Sequence, residues 1–134
     1  MKEVRHFYVS GPYSADTEEK KRDNIHSASF WAQQLVAAGI PVFCPHLQSQ
    51  DWEHKTSMTY PQFLLVDVYW VIRCDCLLML PGWKKSPGAL IEHAIAKALN
   101  MPIYYVGEHS TKPPIVISGM TNKRYELDEL YKIA

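Results

Sequence analysis

The sequence has no net charge, no paired-cysteine pattern and no long apolar run, and each shortage removes a class of protein. Fourteen Lys and Arg balance fourteen Asp and Glu, a formal net charge of +0 at pH 7. No overall field recruits a polyanion, so a nucleic-acid polymer is not an expected partner. Three cysteines, Cys44, Cys74 and Cys76, make no disulfide framework. Cys74 and Cys76 stand too close for the CxxC spacing of a redox or zinc motif, and all three read as small buried hydrophobes in a reducing compartment. No apolar stretch reaches the ~18 residues of a membrane span, and the first residues lack the apolar core of a signal peptide. A cytoplasmic protein without membrane contact is expected. The Gly11-Pro12-Tyr13-Ser14 turn is not GxGxxG, and GxxxxGK[ST], GxSxG and HExxH do not occur. None of the six histidines pairs at a metal-ligand spacing, so neither a metal nor another cofactor is expected.

What is present alternates between two periods. At 134 residues with 47% hydrophobic and 21% charged side chains, the chain fits one globular domain, residues 1–134. Residues 4–10 (VRHFYVS) are β-branched and aromatic and break at Gly11-Pro12, which predicts a strand. Residues 17–38 form a helix with Ile25, Ala28, Trp31, Ala32, Leu35 and Val36 at helical spacing, stopped by Gly39. Residues 40–44 give a second strand. The polar stretch 47–60 has no period and is long for a connection, which favours a functional loop or lid. A helix from Thr59 or Tyr60 to about Arg73 follows, then an apolar strand over 75–80 (DCLLML). Ser86 as N-cap and Pro87 at N1 open a helix to Leu99. Residues 102–106 make a fourth strand, 115–117 a short further one, and 124–131 an amphipathic turn.

This order predicts a flavodoxin- or Rossmann-like three-layer α/β/α sandwich around a mostly parallel sheet of four to five strands. Ligands of such sheets bind outside the carboxyl ends of the strands. Residues 11–15, 45–50, 81–88 and the turn after Val106 are therefore the expected site loops.

Two acids stand out within apolar helices. Glu92 lies in the second turn of its helix, where Ala89, Ile91, Ala94, Ile95 and Ala98 are the expected packing face. By spacing alone it reads either as an exposed glutamate suited to the helix dipole or as a functional carboxylate. Asp67, among Phe63, Leu64, Leu65, Val66, Val68, Tyr69 and Trp70, reads either as the polar face of an amphipathic helix or as an acid with a partner or a task. Ahead of Glu92, Ser86 and Gly88 begin a helix beside Lys84 and Lys85. Free backbone N–H groups and positive charge there can hold an anion, or form an ordinary cap with solvated lysines.

Together these residues resemble the nucleoside 2-deoxyribosyltransferase superfamily, which includes the 2′-deoxynucleoside 5′-monophosphate N-hydrolases and an uncharacterised bacterial and phage branch. The resemblance runs from about residue 6 to 106, through YVSGPYS, NIHSASFWAQQLVAAG, VFCPH and the D-x7-D of Asp67 and Asp75. Its most specific part is LPGWKKSPGALIEHAIAKALNMPI, which is closest to the uncharacterised branch. The resemblance implies that Glu92 is the nucleophile that attacks a sugar anomeric carbon and leaves a covalent glycosyl intermediate. It implies that Asp67 handles the proton of the departing base and that Asp75 is structural. It makes Tyr8, Gly11, Tyr13, His46, Ser86 and Gly88 substrate-binding residues, with the 5′-phosphate near Ser86 and Gly88. The hydrolases carry an arginine in the first Gly loop that this chain lacks, so Lys84 or Lys85 would have to compensate. The expected activity is N-glycosidic cleavage of a nucleoside or (deoxy)nucleoside 5′-monophosphate, by hydrolysis or by transfer of the sugar to another base. The alternatives are a non-catalytic nucleotide-binding or sensing module and an NAD-type glycohydrolase. A homo-oligomer is expected, because Trp31, Tyr69 and Trp70 on helices leave apolar surface to cover.

Overall fold

Alternation of side chains across the sheet decides which residues can meet at the site. The computed structural model describes residues 5–50, 52–107 and 114–133. Val4 of the first predicted strand, Asp51 of the polar loop and Lys112 and Pro113 of the tail lie outside the described residues. Strands β1 (Phe7–Ser10), β2 (Val42–Phe43), β3 (Cys76–Met79) and β4 (Ile103–Val106) are parallel, in the order β2-β1-β3-β4. This is the flavodoxin-like order. β5 (Ile115–Ser118) and β6 (Arg124–Glu126) continue the sheet antiparallel. The sheet thus has six strands rather than four or five. The additional strand, β6, falls in the segment read as an amphipathic turn. Three residues are too few to display a period of two, and pairing with β5 satisfies backbone groups that no sequence pattern announces.

The helices are α1 (Glu18–Ala37), α2 (Pro45–Gln48), α3 (Tyr60–Arg73), α4 (Pro87–Ala98) and α5 (Leu127–Ile133). Their starts follow side-chain chemistry. The Thr17 hydroxyl accepts the Lys20 N–H at α1 and the Ser86 hydroxyl accepts the Ala89 N–H at α4. Thr59 and Gln62 form a reciprocal capping box at α3. Gly39, at a φ of 90°, ends α1 in a backbone conformation that costs a residue without Cβ little.

In β1, Phe7 and Val9 point to one face of the sheet and Tyr8 to the other; in β3, Cys76 and Leu78 oppose Leu77 and Met79. The first face packs under α1 and α5, with Ala28, Trp31, Leu35, Leu127 and Leu130 buried. The second packs under α3 and α4, through Val71, Ala89 and Ala96. Two expectations about packing fail. Trp31 is buried and Val36 is exposed, because Val36 falls at the margin of the buried stripe of Ile25, Ala28, Ala32 and Leu35. On α4 the buried residues are Ala89, Glu92 and Ala96, whereas Ile91, Ala94 and Ala98 are exposed. A helix apolar on every side does not reveal the phase of its buried stripe. Among the described residues, no helix is long and apolar enough to cross a membrane.

Candidate active site

Tyr8 and Ser10 are two positions apart on β1, so both face the α3–α4 layer, and both reach the same carboxylate. The Tyr8 hydroxyl donates to Glu92 Oε2 at 2.5 Å and the Ser10 hydroxyl donates to Oε1 at 2.6 Å. Glu92 is only 5% exposed and Tyr8 and Ser10 are fully buried. An ionised carboxylate at such a place needs donors on both oxygens to offset lost hydration. Burial pushes the Glu92 carboxyl up, and the Ser10 and Tyr8 bonds pull against it, with a net rise. Burial, then the negative Glu92, raise the Tyr8 phenol well above its usual range, which keeps it protonated as the donor.

Glu92 forms part of the wall of a pocket of about 500 Å³. Its other walls come from the ends of three parallel strands and from α3. Gly11, Pro12, Tyr13 and Ser14 follow β1; Pro45, His46 and Ser49 follow β2; Lys85, Ser86, Pro87 and Gly88 follow β3. Glu53, Met58, Tyr60, Phe63, Leu64 and Asp67 close the remaining side. The site therefore occupies the carboxyl edge of the sheet, as the fold class requires. Of the expected loops, Ala15 does not line this pocket, and residues 108–113 of the turn after Val106 lie outside the described residues. Val106 borders a separate hollow beside Trp83 and Tyr105.

Asp67 faces the pocket from the inner side of α3, on the turn after Phe63 and Leu64. Burial, then the nearby Glu92 charge, lift its carboxyl from 3.8 to about 7. Two carboxyl groups thus share one pocket, Glu92 gripped by two hydroxyl donors and Asp67 raised by burial and by the Glu92 charge, an arrangement suited to acid–base work. The apolar wall of Met58, Phe63 and Leu64 gives a flat, unsaturated ligand a surface to pack against.

The first Gly loop is fixed from two directions. His46 is 3% exposed, and its Nε2 lies 2.9 Å from the Pro12 carbonyl oxygen. Burial lowers the His46 pKa, against the opposing pull of the Pro12 and Gly11 carbonyls, so at neutral pH the ring is uncharged and its Nε2–H donates. Asn24 on α1 donates to the Tyr13 carbonyl at 3.2 Å. Gly11 has a steric reason: a Cβ there would lie 2.7 Å from the Leu80 Cβ. At the opposite wall the Ser86 hydroxyl accepts the Ala89 N–H at 3.3 Å, which leaves its own proton to donate. Gly88 gives Tyr60 room, since a Cβ there would stand 3.3 Å from the Tyr60 hydroxyl.

The structure brings seven of the eight expected site residues to the pocket wall: Gly11, Tyr13, His46, Asp67, Ser86, Gly88 and Glu92. Tyr8 is different. It lies behind the wall and grips Glu92, so its place is that of a positioning residue rather than a substrate contact. Asp75 stands away from the pocket and accepts the His6 backbone N–H at 2.7 Å. Lys84 does not line the pocket, and Lys85 does.

Sequence reasoning missed Ser10 and Glu53. The period of two through YVS was a usable signal for Ser10, because any partner of Tyr8 on that face also lies within reach of Ser10. Glu53 sits in a segment without period, and nothing in the sequence singles it out. Its carboxylate accepts Lys21 Nζ at 2.6 Å and the Tyr13 hydroxyl at 3.2 and 3.3 Å. Burial raises the Glu53 carboxyl, and the bonds from Lys21 and Tyr13 outweigh it, holding the group below its ordinary value.

Fold and site together define an α/β domain with a gripped, buried carboxylate at the carboxyl edge of its sheet. The chain belongs to the family described as a domain of unknown function (DUF4406), which matches residues 5–105 and so includes every residue lining the Glu92 pocket. No curated protein matches the chain.

Proposed function

We propose that this protein cleaves the N-glycosidic bond of a nucleoside or (deoxy)nucleoside 5′-monophosphate, with Glu92 as nucleophile and Asp67 as acid and then base. The observation that carries the reading is a carboxylate 5% exposed, open to a pocket of about 500 Å³ and held on both oxygens. Such a group is preorganised, so little reorientation is needed for attack on C1′. The sugar passes through a state of oxocarbenium character as the C1′–N bond breaks, and a Glu92 oxygen forms the new bond to C1′. Asp67, with a pKa of about 7, is substantially protonated at neutral pH and donates that proton to a ring nitrogen of the departing base. The resulting Asp67 carboxylate then takes a proton from the incoming water, or from an acceptor base, as it attacks C1′ and releases Glu92. Tyr8 and Ser10 stabilise the carboxylate that is regenerated.

The resemblance to the nucleoside 2-deoxyribosyltransferase superfamily supports the same reading. The amides and Ser86 hydroxyl at the start of α4, with Lys85 on the wall, supply donors for a sugar 5′-hydroxyl or 5′-phosphate. Incubation with a panel of nucleosides and their 5′-monophosphates, assayed for free base, tests the proposal. Release from at least one is expected, and release from none by folded protein rejects it.

A second reading has its own support. A carboxylate bonded on both oxygens also serves as a strut between β1 and α4, as it would in a non-catalytic nucleotide-binding module. That reading predicts ligand binding without turnover, retained by Glu92→Gln.

We also propose that the protein works in the cytoplasm as a homo-oligomer. Support comes from the outer side of α3, where Leu65 is 71% exposed and Val66, Tyr69 and Ile72 are about half exposed. A continuous apolar stripe of this kind is costly to leave in water.

A further inference from the structure

Glu53 links three separate pieces of chain. Its Oε1 lies 2.6 Å from Lys21 Nζ on the first turn of α1, and both its oxygens accept the Tyr13 hydroxyl of the Gly loop. Lys21 is 7% exposed, and its Nζ also stands 5.1 Å from the centre of the Tyr13 ring. His54 Nε2 is 3.6 Å from the same Glu53 oxygen. An ammonium group at such low exposure is stable only beside an anion, so Glu53 and Lys21 hold each other in place. Glu53 and Met58 form the outer side of the pocket. The backbone hydrogen bonds within this stretch, Lys55 and Thr56 N–H to the Trp52 carbonyl, are local and cannot fix it against the rest of the fold. Side-chain hydrogen bonds from Lys21 on α1 and Tyr13 on the Gly loop reach this segment at Glu53.

We propose that Lys21 and Glu53 are positioning residues that brace segment 52–58 and the Gly loop into one rigid wall and thereby set substrate affinity. Lys21 does not line the pocket; it acts on the ligand only through Glu53 and Tyr13. The brace follows from geometry alone, whereas its effect on substrate rests on the glycosidase reading above. Removing Lys21 frees 52–58 to sample open arrangements, and substrate then binds only the closed fraction. Affinity falls, while the chemistry at Glu92, once substrate is bound, keeps its rate.

Hydrogen exchange of the whole protein separates the two parts. In Lys21→Met the amides of Lys55 and Thr56 are expected to exchange about tenfold faster or more, with β1 and β3 unchanged. Glu53→Gln, which keeps the shape and a weaker bond, gives a smaller change of the same pattern. Unchanged exchange at 52–58, or equal acceleration in the central strands, overturns the brace. For base release, Lys21→Met raises KM by about tenfold with kcat within about twofold. The double exchange Lys21→Glu with Glu53→Lys returns both exchange rate and KM toward wild type. A kcat loss without a KM change, or a double variant no better than the single ones, overturns the positioning role. The exchange result needs no turnover, so a chain that releases no base loses the glycosidase reading while the brace is still decided.

Discussion

Replacing Asp67 by asparagine keeps the size of the side chain and removes its titration. With the carboxyl at about 7 in the folded protein and 3.8 ordinarily, the native state holds a proton across that window which the unfolded chain has released. Stability is therefore lost as pH rises from about 4 and the loss is complete above about 7. Three pK units would correspond to roughly 4 kcal/mol. Asp67 is only half-buried and faces an open pocket, so solvent screening reduces this to about 2 kcal/mol. An asparagine at this position carries no such penalty. Asp67→Asn should raise the unfolding temperature by only about a third of the full effect at pH 5, roughly 2–4 °C, because there the unfolded carboxyl has ionised while the folded one is still protonated. At pH 8.5 it should raise it by roughly 6–10 °C, taking about 3–5 °C per kcal/mol for a chain of this length. Thermal unfolding followed by circular dichroism at the two pH values measures the difference, and groups common to both proteins cancel. Because the Glu92 charge contributes to the shift, the step in a Glu92→Gln background should move to lower pH. The same substitution should slow base release by about 10²- to 10⁴-fold, the usual range for losing an acid–base group. A temperature difference that is equal at pH 5 and 8.5 would refute the reasoning, because it would make Asp67 an ordinary exposed carboxylate.

The grip on Glu92 makes a further prediction. Tyr8→Phe removes the donor to Oε2, and a hydrogen bond to a charged group contributes about 1.5–3 kcal/mol. The urea midpoint at pH 7 should fall accordingly, by less at low pH where Glu92 is protonated, and the acid limb of the kcat/KM profile should move to higher pH. For self-association, Leu65→Asp on the outer face of α3 should convert an oligomer to a monomer in sedimentation analysis while the circular dichroism spectrum is retained. A wild-type protein that sediments as a monomer would remove that proposal.

The parts of the fold that were legible are those where local chemistry repeats. Ser86-Pro87, Thr59 with Gln62, and Gly39 mark helix ends because each meets a backbone need that only certain side chains satisfy. The strands β1 and β3 announce themselves by composition. Illegible parts share a physical reason: a partner in the fold, rather than a local repeat, decides them. β6 exists because β5 has an edge to pair, and Glu53 matters because Lys21 lies opposite. The phase of α4 shows this most clearly, since Ile91, Ala94 and Ala98 look like core residues until Tyr8 and Ser10 turn Glu92 inward. As for the pocket, the order of strands and loops placed most of its wall, yet could not separate Tyr8, which grips the carboxylate from behind, from residues that face a ligand.

The central claim is that Glu92 forms a bond to a sugar. Its most direct test is mass spectrometry of the intact protein and its peptides after rapid quenching with a turned-over nucleoside or nucleoside 5′-monophosphate. The account predicts a glycosyl adduct on the peptide containing Glu92, together with released base, and neither in Glu92→Gln. Base release that persists in Glu92→Gln, or an adduct on a different residue, would contradict it.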